Sequence, residues 1–114
     1  YPVDDTPGCT AESCSFRDHH SRFQGSGAIV LGVSTGGVES HRAFREKHGL
    51  PFELVADPAG AIARSYGVLD EARGWAERVT FVVDPAGRIA RIFRVGRIEE
   101  HVGEVLAALH ASSR

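Results

Sequence analysis

Methionine is absent from this chain of 114 residues, and lysine occurs once, as Lys47. Without methionine Tyr1 is not a retained initiator, so the abrupt Tyr-Pro start reads as a chain whose true N-terminus lies further upstream. No apolar run approaches the roughly 20 residues of a membrane helix. The longest is Ala28-Ile29-Val30-Leu31-Gly32-Val33, and no basic-then-apolar leader opens the chain, so a cytoplasmic location is expected. An excess of positive charge is missing too: the net charge is −2, which points to neither nucleic acid nor an anionic membrane as partner. What positive charge exists is almost all arginine, a mark of genomic composition bias.

Cysteine is scarce. Cys9 and Cys14 are the only two, separated by four residues. A small secreted scaffold carries more cysteines, spread along the chain. A zinc site would need further ligands, and His19, His20, His41, His48, His101 and His110 are available. No CxxC or HxxxH spacing organises them, so no metal is expected. One close pair in an otherwise cysteine-free chain fits redox chemistry.

With 42% hydrophobic and 25% charged residues, the chain reads as one domain over residues 1–114. Thr6-Pro7 resembles an N-cap followed by proline at the first helical position, where the missing N–H costs nothing. The pattern predicts a helix from about Pro7 to Phe23, stopped by Gly25-Ser26-Gly27. The run from Ala28 to Val33 predicts a strand buried on both faces. Ser40 to His48 is a second helix, closed by Gly49, and Phe52 to Val55 a short strand. Asp57-Pro58 repeats the cap-then-proline device, opening a helix through Tyr66 that Gly67 ends. Arg78 to Val83 and Arg88 to Arg94 are strands joined by the turn Asp84-Pro85-Ala86-Gly87. The second of them alternates polar and apolar residues, so it is expected to lie exposed on one face. Ile98, Val102, Val105, Leu106 and Leu109 recur at helical spacing, an apolar stripe for a final helix packed on the sheet. Trp75 reads as loop packing.

The order α-β-α-β-α-β-β-α lacks a strand before its first helix. A strand ending near Tyr1 would complete a βαβ unit followed by an antiparallel hairpin. That arrangement is a thioredoxin-like three-layer α/β/α domain with a mixed sheet, its N-terminal strand outside this chain. Sites in such sheets lie at the carboxyl edge, where a helix begins.

With Thr6 as N-cap, Pro7, Gly8 and Cys9 fill the first helical turn. A thiolate there meets unsatisfied backbone N–H groups and the positive end of the helix dipole. Cysteines so placed are the reactive ones. Gly8 is expected to leave room for a small substrate beside the sulfur.

Pro2-Val3-Asp4-Asp5-Thr6-Pro7-Gly8-Cys9 resembles the Pro-x-x-x-Thr-x-x-Cys motif of peroxiredoxins. The continuation to Cys14-Ser15-Phe16-Arg17-Asp18 is similar to the PrxQ, or bacterioferritin comigratory protein, branch, whose second cysteine sits five positions after the first. Similarity extends through Val30 to Ser34, His41 to Phe52, Tyr66-Gly67-Val68 and Arg78 to Asp84. Thr35-Gly36-Gly37 departs from it, standing where the family often has an acidic residue. The resemblance implies that Cys9 is the peroxidatic nucleophile and Cys14 the resolving thiol. It also implies that Thr6 hydrogen-bonds the sulfur and the peroxide, that Pro2 shields the sulfur, and that Arg78 stabilises the thiolate and orients the peroxide. Glu12, one turn after Cys9, is either a partner of that arginine or a surface glutamate at a compatible end of the dipole.

The activity so implied is reduction of hydrogen peroxide or alkyl hydroperoxides, with a thioredoxin-type dithiol as recycling partner, no metal, haem or flavin, and a monomer rather than a dimer. The rivals are a one-cysteine peroxidase served by an external thiol and a non-catalytic redox sensor. A helix carrying both cysteines would hold their α-carbons about 8.7 Å apart, so the disulfide requires the first turns to unwind.

Overall fold

The computed structural model describes residues 1–112. Its first helix, α1, spans Pro7–Asp18, with Pro7 at the helix start and Thr6 extended before it (φ −83°, ψ 154°). It buries Cys9, Glu12, Ser13 and Phe16, the i, i+3, i+4, i+7 set of one helical face. The helix expected to reach Phe23 is broken at His19, whose φ is −109°. The His19 ring Nδ1 stands 2.9 Å from the Ser15 carbonyl oxygen, a local side-chain bond that competes with helix continuation. A separate helix, α2, follows at His20–Gly25 and carries Phe23, which is 1% exposed. Phe16 and Phe23 stack at 5.3 Å across the break, so the core contact survives it. Truncating Phe23 to alanine would cost about 3–5 kcal/mol.

Strand β1 (Leu31–Ser34), helix α3 (Val38–His48) and strand β2 (Glu53–Ala56) form a parallel βαβ unit, pairing Leu31 with Glu53 through Ser34 with Ala56. Gly49 closes α3 in the left-handed region (φ 59°), and the Leu50 amide donates to the Arg45 carbonyl. This six-residue loop is the Schellman stop, and a side chain at Gly49 would strain it. The expectation that β1 is buried on both faces fails. Ile29 and Leu31 are 87% and 57% exposed, and β2 is the one strand paired with β1 among the described residues.

Helix α4 is shorter than expected, Ala61–Ser65, because Asp57 and Pro58 form a turn ahead of it. Strands β3 (Leu69–Asp70) and β4 (Trp75–Ala76) make a two-residue hairpin that places Trp75 in a strand rather than a loop. Strands β5 (Val79–Val83) and β6 (Ile89–Arg94) pair antiparallel across the Asp84 to Gly87 turn, where the Asp84 carboxylate accepts from the amides of Ala86 and Arg88. β6 is exposed on nearly its whole length, Phe93 excepted, rather than on one face as its alternation suggests. Helix α5 (Ile98–Ser112) covers β5 with Val102, Val105 and Ala108 buried.

Parallel and antiparallel pairs thus supply the mixed strand directions of a thioredoxin-like α/β fold, in three two-stranded ribbons. Phe16, Phe23, Phe44, Leu50, Phe52, Val82, Val102 and Val105 form the main core. An apolar cavity of about 730 Å³ lies between β1 and β5, and the Tyr1 amino group donates to the Val33 carbonyl at 2.9 Å on its β1 side. Among the described residues no helix is long and apolar enough to cross a membrane.

Candidate active site

Cys9 occupies the first turn of α1 and is fully buried. Arg78, the residue before β5, reaches it across the fold. One guanidinium nitrogen, Nη2, donates to the Cys9 sulfur at 3.4 Å, and Nη1 donates to Glu12 Oε1 at 3.0 Å. Cys9 and Glu12 are three residues apart and so share a helix face, which lets one planar fork hold both. Burial alone would make the guanidinium easier to deprotonate. The neighbouring Cys9 and Glu12 outweigh that and raise the Arg78 pKa above its ordinary value. Glu12 is therefore the arginine's partner and not a surface residue: its side chain is 10% exposed.

Gly8 lies against the arginine. A Cβ built there would lie 2.9 Å from Arg78 Nη2, so the missing side chain makes room for the arginine beside Cys9. Thr6 stands at the N-cap position, but its hydroxyl caps no amide of α1. It donates instead to the Val3 carbonyl at 2.9 Å, so the expected hydrogen bond to the sulfur is not formed. With its proton directed at Val3, the hydroxyl oxygen keeps its lone pairs for an incoming donor. Pro2 is fixed through its carbonyl, which accepts from the Ser34 hydroxyl at 3.0 Å.

The segment from Tyr1 to Thr6 is held by contacts that sequence reasoning missed. Asp4 accepts from the Tyr1 hydroxyl through Oδ1, and through Oδ2 it meets the Ser40 hydroxyl and His41 Nδ1, both at 2.6 Å. Asp5 adopts φ 61°, a conformation uncommon outside glycine, while Lys47 and His48 bind its carboxylate. Burial and the Asp4 bond push the Tyr1 phenol above its ordinary pKa.

Cys14 is half-buried on the same helix, and both thiols are free. His101 is the residue of the site that the sequence did not bring forward. It is 2% exposed on α5, with Nε2 2.7 Å from the Thr80 hydroxyl and 4.0 Å from Glu12 Oε2. Phe16 and Phe93 set their rings edge-on to its imidazole, each at 5.8 Å. Burial lowers its pKa, partly offset by Glu12 and Glu104. A signal existed: Ile98, His101, Val102 and Val105 follow the i, i+3, i+4, i+7 pattern of a buried stripe. Among the described residues no three of His, Cys, Asp and Glu stand together as a metal-binding group.

The AhpC/TSA family model matches residues 1–92. Peroxiredoxin Bcp of Bacillus subtilis is 39% identical over 115 residues, covering 96% of this chain and 73% of that protein. The chloroplastic peroxiredoxin Q of Sedum lineare is 37% identical over 113 residues, covering 97% and 61%. In structure, the bacterioferritin comigratory protein of Xanthomonas campestris, described for its alkyl peroxide reduction activity, superposes with a TM-score of 0.92 at 37% identity over all of this chain and 76% of its own. A family model spanning most of the chain, together with relatives and a structure that agree on one branch, leaves a single conclusion: the chain belongs to the AhpC/TSA family, in its Bcp/peroxiredoxin Q branch.

Proposed function

We propose that this domain is a thiol-dependent peroxidase in which Cys9 is the nucleophile and Cys14 the resolving thiol. The observation that carries the proposal is the Arg78 guanidinium at 3.4 Å from a buried sulfur in the first turn of α1. The Cys9 thiolate attacks the distal oxygen of a hydroperoxide. The O–O bond breaks heterolytically, the departing oxygen takes a proton to leave as water or alcohol, and Cys9 becomes a sulfenic acid. Arg78 stabilises the anion before attack and the charge developing on the leaving oxygen after it. Thr6 offers its lone pairs to the peroxide proton, and Pro2 excludes water from the sulfur.

The Cys14 thiolate then attacks the sulfenic sulfur, expelling its oxygen as water and forming the disulfide. A thioredoxin-type dithiol restores both thiols by exchange. Both cysteines lie within α1, where five residues of regular helix put their α-carbons about 8.7 Å apart. A disulfide tolerates at most about 7 Å. The first turns of α1 must therefore unwind after Cys9 is oxidised, at about 1 kcal/mol for each backbone hydrogen bond lost. A monomer in the cytoplasm is the form in which we place this chemistry.

Peroxide consumption coupled to thioredoxin oxidation tests the proposal. Wild type is expected to turn over continuously, and Cys14→Ser to form one sulfenic acid per chain and then stall. A Cys14→Ser protein that turns over like wild type would establish the one-cysteine rival. No turnover in wild type despite a reversible disulfide would establish the sensor.

A further inference from the structure

We propose that His101 is a positioning residue of this site, acting through Glu12 to hold Arg78 on the Cys9 sulfur when neutral and to release it when protonated. The inference rests on the peroxidase reading and adds to it an acid-sensitive control.

The geometry is a continuous chain of contacts. Arg78 Nη2 meets the Cys9 sulfur at 3.4 Å, and Arg78 Nη1 meets Glu12 Oε1 at 3.0 Å. The second oxygen of the same carboxylate, Oε2, faces His101 Nε2 at 4.0 Å. One carboxylate therefore stands between two nitrogen groups, one of them permanently charged. While His101 is neutral, Arg78 holds the Glu12 carboxylate by its hydrogen bond, and the buried Tyr1 amino group adds a Coulombic attraction. A proton on His101 creates a further cation facing the same carboxylate, and it competes with Arg78 for it. Closing the 4.0 Å gap moves the carboxylate towards α5 and loosens the guanidinium that must touch both sulfur and peroxide.

The surroundings keep His101 neutral at ordinary pH. Phe16 of α1 and Phe93 of β6 flank the ring, and Thr80 of β5 engages Nε2 at 2.7 Å. The charged groups facing it are Glu12 from α1 and Glu104 from its own helix, while Arg78, ahead of β5, meets it through Glu12. Burial outweighs the two carboxylates and holds the imidazole pKa below its ordinary value. The switch therefore operates below about pH 6.5, the unperturbed histidine value. The stability sign agrees. The unfolded chain takes up this proton at higher pH than the folded one, so stability from this group is complete above about pH 6.5 and declines as pH falls.

Two measurements test the inference. The first is the second-order rate of Cys9 oxidation by hydrogen peroxide from pH 5 to 8 in wild type and His101→Gln, whose amide can still bond Thr80 but cannot ionise. Both rates fall in acid as the thiolate protonates. The wild-type rate is expected to fall further, by at least about threefold at pH 5 relative to the variant, because a second proton is involved. Superimposable profiles would overturn the inference. The second needs no activity: the His101 ring titration followed by NMR in reduced wild type and Glu12→Gln. Removing the carboxylate is expected to lower the His101 midpoint, since coupling between two sites is reciprocal. An unmoved midpoint overturns the inference alone, even where His101→Gln does not fold. A wild type that consumes no peroxide overturns the proposed function instead.

Discussion

Two helix starts in this molecule use the same device and do opposite things with it. Thr6-Pro7 precedes α1 and Asp57-Pro58 precedes α4, each a polar side chain followed by proline. The Asp57 carboxylate is buried and accepts from the Ile62 and Ala63 amides at 3.1 and 2.9 Å, so the start of α4 is closed by its own side chain. The Thr6 hydroxyl turns back to the Val3 carbonyl, and no side chain caps α1. A helix that serves packing satisfies its amides internally. The helix that carries Cys9 leaves its first amides without a side-chain cap, where their partial positive charge favours an anion.

The comparison breaks most completely at Cys9. Cys9→Ser is expected to abolish peroxide reduction in a stopped-flow assay while the fold, read by circular dichroism, stays intact. A hydroxyl is almost never ionised at neutral pH, so the exposed amides lose the charge they serve. Asp57→Ala is the converse: about 2 kcal/mol of stability lost in urea unfolding, from buried amides without a partner, with the peroxide rate within twofold of wild type. Arg78→Lys retains charge but loses the fork that holds sulfur and Glu12 together. Its second-order rate is expected to drop tenfold or more, about 1.4 kcal/mol of transition-state stabilisation. The smallest change sharpens the contrast. Thr6→Val is expected to slow the reaction about fivefold, roughly 1 kcal/mol, without the stability loss of Asp57→Ala. A Thr6→Val protein as unstable as Asp57→Ala, with an unchanged rate, would mean that both starts serve structure.

Much of this was legible in the sequence because it is local. The Asp84 to Gly87 turn, the Gly49 stop, the α5 stripe and Cys9 in a first turn each depend on a few neighbouring residues. The break at His19 was not legible, because the bond from its ring to Ser15 leaves no mark on apolar periodicity. The β3/β4 hairpin escaped because strands of two residues carry no alternation. Arg78 was found through family resemblance, since nothing local separates it from eleven other arginines. The Glu12–His101 approach joins residues 89 positions apart and required the fold itself.

The break at His19 also sets a boundary on motion. α1 ends at Asp18, and beyond the bend Phe23 anchors α2 in the core. An opening that starts at Cys9 and runs down α1 meets the bend at His19, whose amide donates to the Ser15 carbonyl and whose carbonyl accepts from the Phe23 amide, and beyond which the buried Phe23 ring resists further fraying. In the proposed redox cycle the opening is then expected to be confined to α1. The rest of the molecule is expected to stay folded through each turnover, with a proteolysis-prone open state limited to the 12 residues of α1.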